Sequence, residues 1–99
     1  MIDKFKNVPL DDETKILSEH IVEIGKYEAL LQVWNWDGII AQSIILTDVD
    51  ANEMSDSEIE EQIKSLSFIE KETSLMINRS VKGFTFVNFK VNLINDDEI

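Results

Sequence analysis

The residues that could do chemistry crowd into one stretch. LTDVDANEMSDSEIEE, Leu46 to Glu61, holds Asp48, Asp50, Asn52, Glu53, Asp56, Glu58, Glu60 and Glu61, and no basic residue. Oxygen ligands on alternate residues are what a calcium loop needs. Asp48, Asp50 and Asn52 fit the first, third and fifth positions of an EF-hand loop, and Asp56 fits the ninth. The sixth position requires glycine for its sharp turn and carries Glu53. The last requires a bidentate glutamate and carries Ile59. The metal reading fails at its two strictest positions, and no metal ligand is assigned.

Catalysis finds little more to use. There is no cysteine, which excludes thiol catalysis, thiolate zinc sites, iron–sulfur ligation and a disulfide framework. His20 is the single histidine; beside Glu19 and Glu23 it reads as a surface residue rather than a general base. No G-x-S-x-G motif and no glycine-rich phosphate loop occurs. Paired carboxylates can hydrolyse glycosides, but a chain this short has little room for the cleft. The expectation is a non-enzyme with no catalytic residue and no cofactor.

Charge points to binding. The chain carries a net charge of −11, and from Tyr27 to Ile63 it has nine acidic residues and no lysine or arginine. Such a surface repels nucleic acid and anionic membranes and draws in a basic protein. Lys64, Lys71, Arg79, Lys82 and Lys90 are too few for a stripe that tracks phosphates, so direct nucleic-acid binding is not expected. The N-terminal MIDKFKNVPLDDETK has no apolar signal region, and no apolar run approaches the roughly 20 residues of a membrane span. A cytoplasmic protein without membrane contact is expected.

WNWDG adds an aromatic pair. Trp34 and Trp36, two apart on a strand, share one face, which is either core or an exposed interface anchor. The candidate partner-binding set is therefore Asp48, Asp50, Glu53, Asp56, Glu58, Glu60 and Glu61 with Trp34 and Trp36.

These side chains need a scaffold. Ninety-nine residues form one domain, 1–99, with a leader over 1–10 and a tail over 94–99 that are expected to fray. Residues 11–24 read as a helix, from Leu17, Ile21 and Ile24 at helical spacing behind three acids. The β-branched HIVEI before Gly25–Lys26 offers a strand as the alternative. Residues 27–36 and 39–47 flank Asp37–Gly38 as a hairpin. Ser55 and Glu58 form a capping box, and Ile59, Ile63 and Leu66 make one apolar stripe of a helix over 55–66. Residues 72–80 and 84–93 form a second hairpin about a three-residue Val81–Gly83 loop. Along its second strand Thr85, Val87, Phe89, Val91 and Leu93 share one face. The fold class is α+β: a mostly antiparallel sheet built from two β-hairpins, with one or two helices packed on one face.

The WNWDG hairpin, the acidic Asp48–Glu61 segment and the C-terminal GFTFVNFKV resemble, in overall character, small acidic cysteine-free immunity proteins of bacterial toxin–immunity pairs, including those of contact-dependent growth inhibition. The resemblance implies a cytosolic, non-catalytic inhibitor that forms a 1:1 complex with one cognate toxin domain, often a cationic nuclease. A nuclease needs a positive cleft for its polyanionic substrate, so carboxylates presented to that cleft would steer association while an aromatic anchor slows dissociation. Two other readings stand beside it. One is a phage- or plasmid-type mimic of nucleic acid that blocks a host defence protein. The other is a small adaptor subunit whose acidity serves only solubility.

Overall fold

The computed structural model describes residues 3–9, 14–36 and 38–90. It is α+β: five antiparallel strands in one sheet, with two helices packed against it. The strands are β1 (Thr14–Ile24), β2 (Tyr27–Trp36), β3 (Ile39–Thr47), β4 (Met76–Val81) and β5 (Phe84–Lys90). Between β3 and β4 lie α1 (Asp48–Ala51) and α2 (Asp56–Lys64), and a 3-10 turn spans Asp3–Phe5. The sheet order is β1-β2-β3-β5-β4.

The helix expected over 11–24 is corrected. Residues 14–24 form β1, and 11–13 lie outside the described residues. Ile24 pairs with Tyr27 across Gly25–Lys26, and the pairing continues to Thr14 and Trp36. Gly25 has φ +62° and is alone in this turn in having positive φ, the pattern of a type II′ hairpin turn. The apparent helical stripe was a coincidence of register. A bulge between Ile16 and Ser18 throws Leu17 out of the alternation, where it is exposed. Beyond it Val22 and Ile24 turn to the helical side, while Ile21 faces the other way. The sheet thus rests on a third hairpin besides the two expected.

The β2–β3 hairpin forms at the expected boundaries, with Trp36 opposite Ile39. At its tip the Gly38 N–H donates to Asn35 Oδ1 at 2.9 Å. The β4–β5 hairpin differs in detail. Its first strand begins at Met76, and Val81 pairs with Phe84, so the loop is only Lys82–Gly83. Both have positive φ, +53° and +93°, as a type I′ turn requires. The step from Asn78 to Val81 opposes Phe86 to Phe84, so β4 holds one extra residue, and Ser80 there has φ +63°. Thr85, Val87 and Phe89 share the face expected of them and are buried; Val91 and Leu93 lie outside the described residues.

The capping box of α2 is present in both directions. Glu58 N–H donates to Ser55 Oγ at 3.2 Å, and Ser55 N–H donates to Glu58 Oε1 at 2.9 Å. The helix lays Ile59 and Ile63, both fully buried, on Ile24, Ala29, Leu31, Ile44 and Val87. Each contributes about 2–3 kcal/mol by the area it removes from water.

The described part of the leader packs against the sheet. Phe5, 1% exposed, packs with Leu30, Ile45 and Phe84 on the face away from the helices, with Val8 and Phe86 beside it. Both sheet faces therefore carry a core at the α1 end. Replacing Ile63 by alanine should lower the unfolding free energy by about 3 kcal/mol, as expected for a deleted core side chain, and urea denaturation of the two proteins will measure it.

Candidate protein-binding surfaces

The nine candidate residues do not form one surface. The seven carboxylates lie on α1, on α2 and on the link between them. Trp34 pairs with Ala41 and belongs to the opposite face; Trp36 occupies the last position of β2, and nothing more of it is described.

Among the carboxylates, several act inward. Thr47 caps α1, its Oγ1 accepting from the Asp50 N–H at 3.3 Å. Asp48 Oδ1 accepts from the Thr85 hydroxyl at 2.7 Å and from the Ser80 N–H at 3.2 Å, while its own N–H donates to the Gly83 carbonyl at 3.0 Å. One aspartate thus fastens the end of β3 to the β4–β5 hairpin and engages the N–H of the positive-φ Ser80. Asp50 pairs with Lys4 at 3.1 Å and holds the leader in place. Glu58 is occupied by the capping box.

Arg79 is the partner that sequence reading did not single out. It reaches from β4 to the far end of α1. Its guanidinium donates to the Ala51 carbonyl at 3.0 Å and the Met54 carbonyl at 2.9 Å, and pairs with Asp56 at 2.8 Å. The carbonyls at a helix C-terminus lack intrahelical donors, and a cation there satisfies them. Glu60 pairs with Lys64 one turn along α2 at 3.2 Å. Exposed ion pairs of this kind add at most about 1 kcal/mol.

What remains outward is nonetheless acidic. Glu53, Asp56, Glu58, Glu60 and Glu61 are all exposed on one layer, and the cations paired with them are Lys64 and Arg79.

The opposite face has a different chemistry. Glu19, Gln32, Ser43, Asn88 and Met76 stand directly opposite one another, strand by strand, in one row across all five strands. Gln32 donates to Glu19 Oε2 at 2.9 Å. Trp34 Nε1–H donates to Ser43 Oγ at 2.9 Å, and the Ser43 hydroxyl donates to Asn88 Oδ1. Gln32 and Ser43 are buried, and these partners let them be so without an orphaned polar group. The signal was in the sequence: on this face β2 reads Leu30, Gln32, Trp34, and β5 reads Phe84, Phe86, Asn88. Between them β3 reads Ala41, Ser43, Ile45, and a polar residue at the same level of three successive strands of the sheet marks a shared hydrogen-bond row. Past this row a cleft of about 740 Å³ opens between Trp34, Ile39, Ala41, Asn88 and Met76 and the segment leading into β4.

His20 stands exposed on β1 opposite Leu31. Among the described residues, no three His, Cys, Asp or Glu side chains gather as metal ligands, and no helix is long and apolar enough to cross a membrane. No protein-family model, curated protein or solved structure matches the chain.

The carboxylates therefore separate into two groups by what their loss should do. Asp48→Ala should cost about 2 kcal/mol, since it strands the hydroxyl of the buried Thr85 and removes the acceptor of the Ser80 N–H. Glu61→Lys, on an exposed position, should stay within about 0.5 kcal/mol of the parent. Urea midpoints for the two variants will show the split, and equal midpoints would mean that the Asp48 contacts are incidental.

Proposed function

We propose that this chain is a non-catalytic immunity protein that acts in the cytosol and neutralises a cationic toxin domain, a nuclease, in a 1:1 complex. The observation that carries the reading is the cluster of exposed carboxylates Glu53, Asp56, Glu58, Glu60 and Glu61 on the helical layer of a chain with net charge −11. At about 0.1 M salt a charge is felt over roughly 10 Å, so carboxylates this close act on an approaching partner together. The field they make attracts a basic cleft and orients the encounter. Rigidity supports the reading as well. α2 is held by its capping box and the buried Ile59 and Ile63, and Arg79 ties the α1–α2 corner to β4, so the carboxylates need little ordering when they bind.

The structure also selects the residues with which to test it. Asp48 and Asp50 are unsuitable for charge reversal, because their loss disturbs the scaffold. Glu53 and Glu61 have no ion-pair partner among the described residues. The experiment is coexpression with the recombinant C-terminal toxin domain encoded by the adjacent upstream gene, followed by stopped-flow association of the purified pair. Protection of the host cells is expected, with a stoichiometric complex whose association slows steeply with added salt. In Glu53→Lys/Glu61→Lys, association at low salt should fall about tenfold. Absence of both complex and protection would overturn the proposal. A complex indifferent to salt and to the double reversal would move the contact off the helical layer. Competition by duplex DNA would show whether the inhibitor occupies the substrate cleft.

A further inference from the structure

The cleft at the Trp34 end of the sheet opens on the face opposite α1 and α2, with Leu75 and Phe89 of the helical-side core also in its lining, and contains none of the carboxylates of the helical layer. Its floor is apolar: Trp34, Ile39 and Ala41, with Met76 alongside. Ile39 is 41% exposed and Met76 64%, so apolar surface that a closed core would have covered stands open to solvent. The wall is the segment before β4, and it contributes Glu70 and Glu72. The intervening Lys71 does not line the cleft among the described residues. The volume of about 740 Å³ falls within the span of about 300–1,000 Å³ usual for ligand clefts and suits several side chains rather than one.

The Trp34 indole decides what those side chains should be. Its N–H is already donated to Ser43, whose own hydroxyl is donated to Asn88. The ring is therefore held in one orientation and has no donor left to offer. It presents π surface, which is attractive to cations and to aliphatic groups and indifferent to anions. Ile39 and Met76 suit an aliphatic stem, and the Glu70 and Glu72 carboxylates suit the charge at its end. Arginine combines these features: a planar, weakly hydrated guanidinium that stacks on an aromatic ring and pairs with a carboxylate.

We propose that this cleft is a second binding site, and that it takes a short arginine-bearing, aliphatic segment of a partner protein, with a guanidinium on Trp34 and paired with Glu70 or Glu72. The site is independent of the acidic helical layer and can fail or hold separately from it.

The test uses the full chain and an acetylated, amidated tetrapeptide of alternating leucine and arginine, titrated while the Trp34 indole N–H and Met76 methyl resonances are followed by NMR. Saturable shifts of both are expected. A peptide with citrulline for arginine, the same shape without charge, should bind about tenfold more weakly, the worth of a single charge–π or charge–charge contact of ~1.4 kcal/mol. Glu70→Gln/Glu72→Gln, on exposed positions that leave the sheet untouched, should weaken the arginine peptide several-fold and flatten its salt dependence. Three results would overturn the proposal. Equal binding of the citrulline peptide would make the cleft an apolar site indifferent to charge. Shifts confined to the backbone around Glu60 and Glu61 would show only attraction to the helical layer. No shift at Trp34 or Met76 up to the solubility of the peptide would leave the cleft without this ligand.

Discussion

A sheet whose strands are apolar on both sides must be covered on both sides, and that constraint organises this molecule. The helical side is closed by α2, whose Ile59 and Ile63 cover Ile24, Leu31, Ile44 and Val87. Among the described residues no helix is left for the other side. There the N-terminal turn sets Phe5 on Leu30, Ile45 and Phe84, and this covers only the end of the sheet nearest α1. Next along the strands the chain changes its means: the Glu19–Gln32 and Trp34–Ser43–Asn88 hydrogen bonds let polar side chains be buried at low cost where no apolar cover is at hand. Beyond that row the face is open, and Ile39 and Met76 are exposed. The cleft lies where the cover runs out.

The acidic segment shows how one composition can answer two demands. An aspartate in the first turn of a helix is favourable for the dipole, and where another residue caps the helix its oxygens remain available. Asp48 uses that freedom to accept from β5 and from the bulge of β4, and Asp50 uses it to hold Lys4. These bonds turn a connection into a brace between the meander β1–β2–β3 and the β4–β5 hairpin. The negative field of the molecule is then set by Glu53, Glu60 and Glu61 and their neighbours on α2, which have few structural duties. Acidity that looks uniform along the chain is divided between brace and field once the chain folds.

Local chemistry made much of this legible. Asp37–Gly38 between two apolar runs, the Ser55–Glu58 capping box, and the alternation of Thr85, Val87 and Phe89 are all short-range rules, and each holds. The misread element was β1, where Leu17, Ile21 and Ile24 imitate a helical stripe. A bulge resets the alternation at Leu17, and a bulge is decided by pairing with β2 rather than by the segment alone. The inward turn of Phe5 was hidden for a related reason. A short leader next to Pro9 looks like a frayed end unless one knows that a bare apolar face waits for it. Of the candidate surface, the sequence revealed which residues are acidic and which are aromatic, but not that they lie on opposite faces. It also did not show that Arg79, 23 residues from Asp56 along the chain, closes the α1–α2 corner. Long-range partners of this kind leave no periodic trace.

The strand order concentrates the chain's topology at one joint. β1–β2, β2–β3 and β4–β5 each join neighbours through a two-residue turn, and such contacts form at little entropic cost. Only β3 and β5 must find each other across the whole helical connection, from Leu46 to Thr85. The loop-closure entropy that slows folding is therefore borne almost wholly by this one pairing. The same joint is where the Asp48 side chain meets Thr85 and the Ser43 side chain meets Asn88, its partner in the ladder. The molecule is built as a three-stranded ribbon and a hairpin joined along a single line, with these two side-chain contacts latching that line. A substitution that loosens either latch acts on the register between the two pieces, and through it on the width of the cleft that Trp34 and Met76 define from opposite sides of that line.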